Sequence, residues 1–165
     1  MKGERASDPI FLLPDPCFPS APLKSYTEVS LLEERNRMAY PANYRYTREH
    51  EWIELTGSIG SIGITDYAQN SLGDIVYVDL PKVGDAVIAG ATFGSVESVK
   101  AVSDLYSPVT GTVDAVNEEL KDAPDKINEK PHETWIIKVK LANPTEFNTL
   151  LDAAAYEAFI AEETK

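Results

Sequence analysis

Residues 94–104, with the sequence GSVESVKAVSD, contain two short runs of alternating apolar and polar residues that meet at Val99 and Lys100. Alternation with a period of two is typical of β-strands with one buried face. The two runs therefore predict an antiparallel hairpin with Lys100 at its tip. Because Val99, Ala101 and Val102 flank this lysine, apolar side chains surround an exposed amine. The residues alone leave two interpretations: a solvated surface lysine, or an amine presented to a modifying enzyme.

Further strand patterns lie on both sides of this hairpin. A second hairpin is predicted between residues 52–55 and 59–64, with Thr56 and Gly57 in its turn. Short strands separated by turn residues at this spacing are typical of a small barrel or sandwich. The sequence therefore predicts a mainly β fold. The additional strands are predicted at 75–78, 112–117 and 135–141.

Short helices are predicted beside these strands, each from a residue that can cap its first turn. Asp66 is placed to cap a helical turn that ends at Gly73, and Asn143 and Asp152 are placed to cap two helices near the C-terminus. Asn and Asp side chains favour this position because they accept hydrogen bonds from the free N–H groups of the first turn. One face of the last helix carries the apolar side chains of Tyr156, Phe159 and Ile160.

Charge and composition argue against several classes of function. The chain has 15 Lys and Arg residues against 27 Asp and Glu residues, which gives a net charge of −12. Nucleic acids and anionic membranes are disfavoured as partners because both require a basic surface. No apolar run approaches the roughly 20 residues of a membrane span. With one cysteine, two histidines, no Walker loop and no nucleophile elbow in the sequence, we predict neither catalytic nor metal-binding residues.

Residues 1–37 differ in composition from the rest of the chain. They hold five of the eleven prolines and the single cysteine, and each proline removes a backbone donor and restricts the residue before it. We expect an irregular or disordered extension at 1–37 and a folded domain with C-terminal helices at 38–165. Met38 directly precedes the folded pattern, so two explanations stay open: translation that starts at Met38, or a real tail that the folded domain does not need.

Three separated stretches of the sequence resemble the glycine cleavage system H protein family. They are YTREHEW at 46–52, IGITDYAQ at 62–69 and VESVKA at 96–101. Two further stretches, at 72–78 and 107–111, fit the family in the same order and spacing. The resemblance extends from Tyr40 to the C-terminus, and residues 1–37 have no counterpart in the typical bacterial form.

Two related kinds of carrier with the same fold differ from this sequence near the lysine. Biotin carriers typically set their lysine between methionines, whereas the only methionines here are Met1 and Met38. Lipoyl domains of 2-oxo acid dehydrogenases usually place Asp before the lysine, whereas Val99 precedes Lys100 here. The resemblance to the H protein family is therefore the more specific one.

The resemblance implies a flattened lipoyl/biotinyl-type barrel-sandwich of two small antiparallel sheets, with short helices at the C-terminus. It implies a carrier rather than an enzyme, in which Lys100 bears lipoate attached by a lipoate ligase or lipoyl transferase. In the family, the P protein loads an aminomethyl group from glycine, the T protein receives it, and the L protein reoxidises the reduced arm. The implied location is the cytoplasm of a bacterium, or the mitochondrial matrix of a eukaryote.

The same resemblance gives two glutamates accessory roles. Glu97 is a candidate recognition residue for the attaching enzyme, with a solvated strand residue as the alternative. Glu51 stands at the family's cleft carboxylate, and we predict that it pairs with the ammonium of the loaded arm while Trp52 forms an apolar wall. The alternative for Glu51 is an ordinary exposed strand residue. Ser71 and Tyr67 depart from the family, because some members have histidines there.

Two other functions are compatible with this hairpin. A lipoyl or octanoyl relay protein, which hands acyl groups to other carriers during lipoate assembly, would present the same Lys100. An unmodified structural β domain would require Lys100 to be an ordinary surface lysine. Activity with purified P protein separates the glycine cleavage carrier from the relay protein.

Overall fold

Residues 40–164 are described by the computed structural model, and they form two β-sheets with a few short helices. The predicted extension at 1–37 and the start at Met38 lie outside the described residues, so both stay predictions. Within 40–164, no helix combines the length and hydropathy that a membrane span needs. The strands are β1 (Tyr44–Tyr46), β2 (Glu51–Thr56), β3 (Ile59–Ile64), β4 (Ile75–Asp79), β5 (Ala86–Val87), β6 (Thr92–Ser98), β7 (Val102–Tyr106), β8 (Gly111–Val116) and β9 (Ile137–Leu141). The helices are α1 (Asp66–Leu72), α2 (Glu119–Asp122), α3 (Lys126–Glu129), a 3-10 helix (Pro144–Thr149) and α4 (Ala153–Glu163).

The strands divide into one larger and one smaller sheet. The larger has the order β1-β2-β3-β9-β8-β5 and the smaller has the order β4-β6-β7. All of these pairings are antiparallel. Neither sheet closes on itself, so the arrangement is an open sandwich rather than a closed barrel. The predicted fold class, two antiparallel sheets with short C-terminal helices, is confirmed in this open form.

The hairpin predicted from residues 94–104 is present as β6 and β7. Val96 pairs with Ser103 and Glu97 pairs with Val102. Val96 is buried and Glu97 is exposed, because successive side chains of a strand point to opposite faces of the sheet. The hairpin therefore contributes one face to the core and leaves Lys100 in the turn at its tip.

Two apolar clusters stabilise the fold. The smaller cluster joins Tyr46 and Trp52 of the larger sheet to Tyr156 of α4, and all three side chains are buried. Tyr156 thus docks α4 as predicted, while Phe159 and Ile160 on the same helix are only partly buried. The larger cluster contains side chains from both sheets, among them Ile53, Ile62, Val78, Val96, Leu105, Val113, Ile137 and Val139.

Several short elements carry no signal in the sequence. β5 has only two residues, and α2 and α3 are single turns whose N-cap side chains accept no hydrogen bond from the amides of the first turn. The predicted cap of α1 is wrong. Thr65, not Asp66, accepts from the Ala68 amide at 3.3 Å, because Thr65 keeps an extended backbone and Asp66 is already helical.

Gly94 is required where β6 approaches β4. A Cβ at this position would lie 2.3 Å from the carbonyl oxygen of Asp79, a backbone atom that cannot turn aside. We expect Gly94→Ala to destabilise the protein by about 1–3 kcal/mol. This steric cost exceeds the stabilisation expected from replacing a glycine by alanine within a strand. Urea unfolding measures this loss. Ser95→Ala, on the outer face of the same strand, is the control, and equal stability of the two variants would contradict the close approach.

Candidate functional site

The turn at the tip of the hairpin is held by hydrogen bonds centred on Ser98. Its hydroxyl oxygen accepts from the Lys100 amide at 3.2 Å and from the Ala101 amide at 3.1 Å. Its own amide donates to the Ala101 carbonyl at 2.8 Å, and the Val99 amide donates to the Asp74 carbonyl at 3.0 Å. These bonds fix the backbone on both sides of Lys100, so the turn presents this residue in one orientation.

The Lys100 side chain is exposed and lies over the C-terminal end of α1. Its Nζ donates to the Ser71 carbonyl at 3.4 Å, and no ion pair involves it among residues 40–164. The aliphatic stem passes over Gly73, where an added Cβ would lie 2.9 Å from Lys100 Cε. The amine is therefore accessible, and the glycine leaves room for the lysine stem.

Exposed apolar side chains surround the hairpin tip, as predicted. Val99 is 68% exposed and Val102 is 64% exposed. Val76 and Tyr77 on β4 are also about half exposed, at 53% and 50%. Large apolar side chains in such a group are typical of a surface that contacts another protein.

Glu97 lies on the outer face of the smaller sheet. The strand register sets it between Tyr77 on β4 and Val102 on β7. Its side chain is exposed, three positions before Lys100 in the same hairpin. The geometry suits a recognition residue and a solvated strand residue equally, so its role stays a prediction.

Glu51 is a buried carboxylate at the start of β2, with only 1% of its surface exposed. One carboxylate oxygen accepts from the Thr47 hydroxyl, and the other accepts from the Tyr106 amide at 3.1 Å. The Glu51 amide donates to the Thr47 hydroxyl oxygen at 3.1 Å. Burial raises the pKa of Glu51 to about 7, against the lowering effect of these hydrogen bonds. The alternative of an ordinary exposed strand residue is therefore wrong.

Trp52 does not form a wall beside Glu51, so that part of the prediction is wrong. Neighbouring strand residues point to opposite faces, and Trp52 lies in the smaller apolar cluster with Tyr46 and Tyr156. Its indole N–H donates to the Ile64 and Pro131 carbonyls, both at 2.9 Å. These contacts make Trp52 a structural residue.

The structure brings the predicted site residues to the two ends of one strand. Lys100 lies two positions before the start of β7, and the amide of Tyr106 at the far end of β7 contacts Glu51. Four strand steps separate Val102 from Tyr106, about 13 Å at the usual rise per residue. Glu97 shares the hairpin with Lys100, and Ser71 lies beneath its amine. An arm on Lys100 would have to extend along β7 to meet Glu51.

Two residues that matter here were not predicted as site residues. Thr47 bonds the Glu51 carboxylate, and Ser98 organises the turn that carries Lys100. A threonine or serine a few residues from a tight turn is a weak signal for such side-chain-to-backbone bonds. Both residues fall inside stretches that resemble the family, but their contacts depend on the folded chain.

Comparison with known proteins gives a consistent result. A family model described as glycine cleavage H-protein matches residues 44–163. A glycine cleavage system H protein of Acidobacterium capsulatum is 69% identical over 127 residues, which are 77% of this chain and 98% of that protein. One from Koribacter versatilis is 62% identical over 126 residues, 76% of this chain and 98% of that protein. The crystal structure of a glycine cleavage system H protein from Mycobacterium marinum superposes with a TM-score of 0.66 at 34% identity, over 76% of this chain and all of that one.

Proposed function

Because this chain belongs to the glycine cleavage H-protein family, we propose that it serves as the lipoyl carrier of that system, with lipoate in amide linkage on Lys100. The observation that supports the attachment site is the exposed Lys100 amine on a turn whose backbone is fixed by Ser98. A carrier needs one accessible nucleophile and no catalytic group of its own. We therefore assign it the role of a carrier rather than of an enzyme.

The residues around Lys100 fit such a group. Within residues 40–164 the amine makes one long hydrogen bond, to the Ser71 carbonyl, so acylation costs little in lost contacts there. The exposed valines beside it offer apolar surface to a lipoate ligase or lipoyl transferase, and Glu97 offers that enzyme a carboxylate. When bound, lipoate supplies the disulfide sulfur that takes up the aminomethyl group. The protein supplies the tether, which raises the local concentration of the arm at each partner.

The outer face of the smaller sheet suits docking of the P, T and L proteins by charge. Asp79, Glu97 and Asp104 are exposed on it, and the register sets Asp79 and Asp104 on either side of Ser95. Amide formation removes the positive charge of Lys100 and leaves this face acidic. Complementary fields raise the rate of encounter, so we expect the docking surfaces of the partners to be basic.

We propose that Glu51 pairs with the ammonium of the loaded arm. A carboxylate whose pKa is about 7 is half ionised near neutral pH, and a cation at its edge would favour the ionised form. Two unit charges about 4 Å apart attract by roughly 4 kcal/mol at an effective dielectric of about 20, before the cost of desolvation. The burial of Glu51 keeps bulk water away from its carboxylate, so its attraction to a nearby cation would be weakly screened.

The named relatives are bacterial proteins, and we place this carrier in the bacterial cytoplasm, where the lipoylating enzyme and the three partners would meet it. The single cysteine of the sequence is consistent with a reducing compartment.

Purified P protein tests the proposed function against the relay alternative. We expect the lipoylated chain to support glycine decarboxylation by P protein with saturable dependence on carrier concentration, and the unlipoylated chain to support none. Carbon dioxide released from labelled glycine measures the reaction. Failure to support P protein, together with transfer of an octanoyl or lipoyl group from this chain to a second carrier, would establish the relay function instead.

A further inference from the structure

A hydrogen-bonded chain of side chains joins α4 to the turn that precedes Glu51. Tyr156 of α4 is fully buried, and its hydroxyl lies 2.8 Å from His50 Nδ1 and 2.8 Å from Thr65 Oγ1. On the other side of the imidazole, His50 Nε2 lies 3.1 Å from a carboxylate oxygen of Glu163, also on α4. His50 is thus held between two residues of the same helix.

The hydrogen-bonding capacities of these groups fix the direction of the chain. The Glu163 carboxylate can only accept, so His50 Nε2 carries the proton and, in the neutral ring, Nδ1 accepts from the Tyr156 hydroxyl. The Tyr156 oxygen then accepts from the Thr65 hydroxyl, and Thr65 Oγ1 accepts from the Ala68 amide at the start of α1. Burial lowers the pKa of His50, which favours the neutral ring.

His50 needs this support because its backbone is strained. Its φ is 71°, and it is the only residue other than glycine with positive φ within the described residues. Such a conformation costs a side chain-bearing residue of this kind about 1–2 kcal/mol. The same tight turn contains Thr47, whose carbonyl accepts from the His50 amide at 3.3 Å and whose amide donates to the Glu51 carbonyl at 2.9 Å. The backbone of His50 therefore sets where Thr47 and Glu51 lie relative to each other.

We propose that Tyr156 is a positioning residue that acts through His50: its hydroxyl holds the turn in the left-handed conformation that keeps Thr47 and the Tyr106 amide on the Glu51 carboxylate. The inference deepens the proposed role of Glu51 and rests on it for its functional meaning. The contacts that join Tyr156 and His50 to Thr47 and Glu51 do not depend on lipoate, because the chain itself makes all of them. The C-terminal helix thereby orients a carboxylate that it does not touch.

Amide hydrogen exchange of the unlipoylated protein tests this coupling. The Glu51 amide donates to the Thr47 hydroxyl oxygen, and the Tyr106 amide donates to the Glu51 carboxylate. We expect Tyr156→Phe, which keeps the ring but removes the hydroxyl, to speed their exchange about tenfold. The Val96 amide, nearer the tip of the β6–β7 hairpin than Tyr106, should be unchanged. Tyr46→Phe is the matched control, because Tyr46 stacks on Tyr156 and is equally buried but donates to the Pro41 carbonyl.

A double variant that includes His50→Gly distinguishes positioning of the turn from general stabilisation of the protein. His50→Gly adopts positive φ without strain, so adding Tyr156→Phe to it should produce no further acceleration at Glu51. The proposal is overturned if Tyr156→Phe leaves the Glu51 and Tyr106 rates within about twofold of the parent. It is also overturned if Val96 accelerates equally, or if Tyr156→Phe has its full effect in the His50→Gly background. If the exchange results hold but the loaded arm is equally long-lived in Tyr156→Phe and parent, the positioning stands and the proposed role of Glu51 fails.

Discussion

Lys100→Arg should fold like the parent protein, accept no lipoate and support no glycine decarboxylation by P protein. Arginine keeps the positive charge at the hairpin tip, but its guanidinium stays protonated and is not a practical acyl acceptor. The Lys100 side chain is exposed, and the one hydrogen bond that it makes with the described part of the chain is long. We therefore expect the melting temperature to stay within a degree or two of the parent, roughly the size of ordinary surface effects. Mass spectrometry after treatment with a lipoate ligase measures the acylation.

Two other exposed lysines provide the controls for this variant. Lys82 lies in the loop after β4, and Lys121 forms a surface ion pair with Glu118 at 3.4 Å. Lys82→Arg and Lys121→Arg should be lipoylated as completely as the parent, because neither lysine lies on the hairpin turn. Lipoate found on Lys82 or Lys121 in the Lys100→Arg variant would show that the attaching enzyme does not require the hairpin turn for recognition.

Glu51→Gln should stabilise the protein at alkaline pH and weaken its protection of the loaded arm. The folded-state pKa of Glu51 is raised from 4.5 to about 7 by burial, so between these values the folded state binds more protons than the unfolded state. The stability of the parent therefore falls as pH rises from about 4.5 to about 7, by an amount on the order of 3 kcal/mol. Glutamine has no charge to bury and can still accept from the Tyr106 amide. The stability of the Glu51→Gln variant should therefore not show this fall between about pH 4.5 and about pH 7.

Urea unfolding at pH 4 and pH 8 measures the effect as the difference between variant and parent. The difference isolates Glu51, because the lowered pKa of the partly buried His50 and His132 contributes equally to both proteins. Glu54→Gln, on the same strand but partly exposed, is the matched control for the loss of one carboxylate from β2. In the loaded protein without T protein, Glu51→Gln should release ammonia faster than the parent. A flat stability difference would contradict the buried ionisable carboxylate, and equal ammonia release would contradict its pairing with the arm.

The sequence predicted those elements whose residues alternate or cap without help from distant neighbours. The strand at Val102–Tyr106 begins and ends where its alternation does, and the Asp152 side chain caps α4 by accepting from the Ala155 amide at 2.8 Å. β5 could not be predicted because a two-residue strand exists only through its pairing with β8. The cap of α1 was ambiguous because Thr65 and Asp66 are both capable residues, and only the backbone decides between them.

The candidate site was predictable in its residues but not in its geometry. Lys100 stands between two alternating runs, so its exposure followed from the pattern. The near-complete burial of Glu51 did not, because it depends on Thr47 and on the backbone of Tyr106, which lies 55 positions further along the chain. Trp52 follows Glu51 directly, yet the alternation of β2 sends the two side chains to opposite faces. The chemical identity of the group on Lys100 came from the resemblance, since exposed lysines at hairpin tips are common in proteins that carry no cofactor.

Mass spectrometry of the Lys100 peptide tests the central claim most directly. The purified chain is incubated with a lipoate ligase, lipoate and ATP, digested, and its peptides are sequenced by fragmentation. We predict a gain of one lipoyl group per chain, located on the peptide that contains Lys100 and on no other lysine. An unmodified Lys100 in a correctly folded chain, or a lipoyl group on a different residue, would contradict the account.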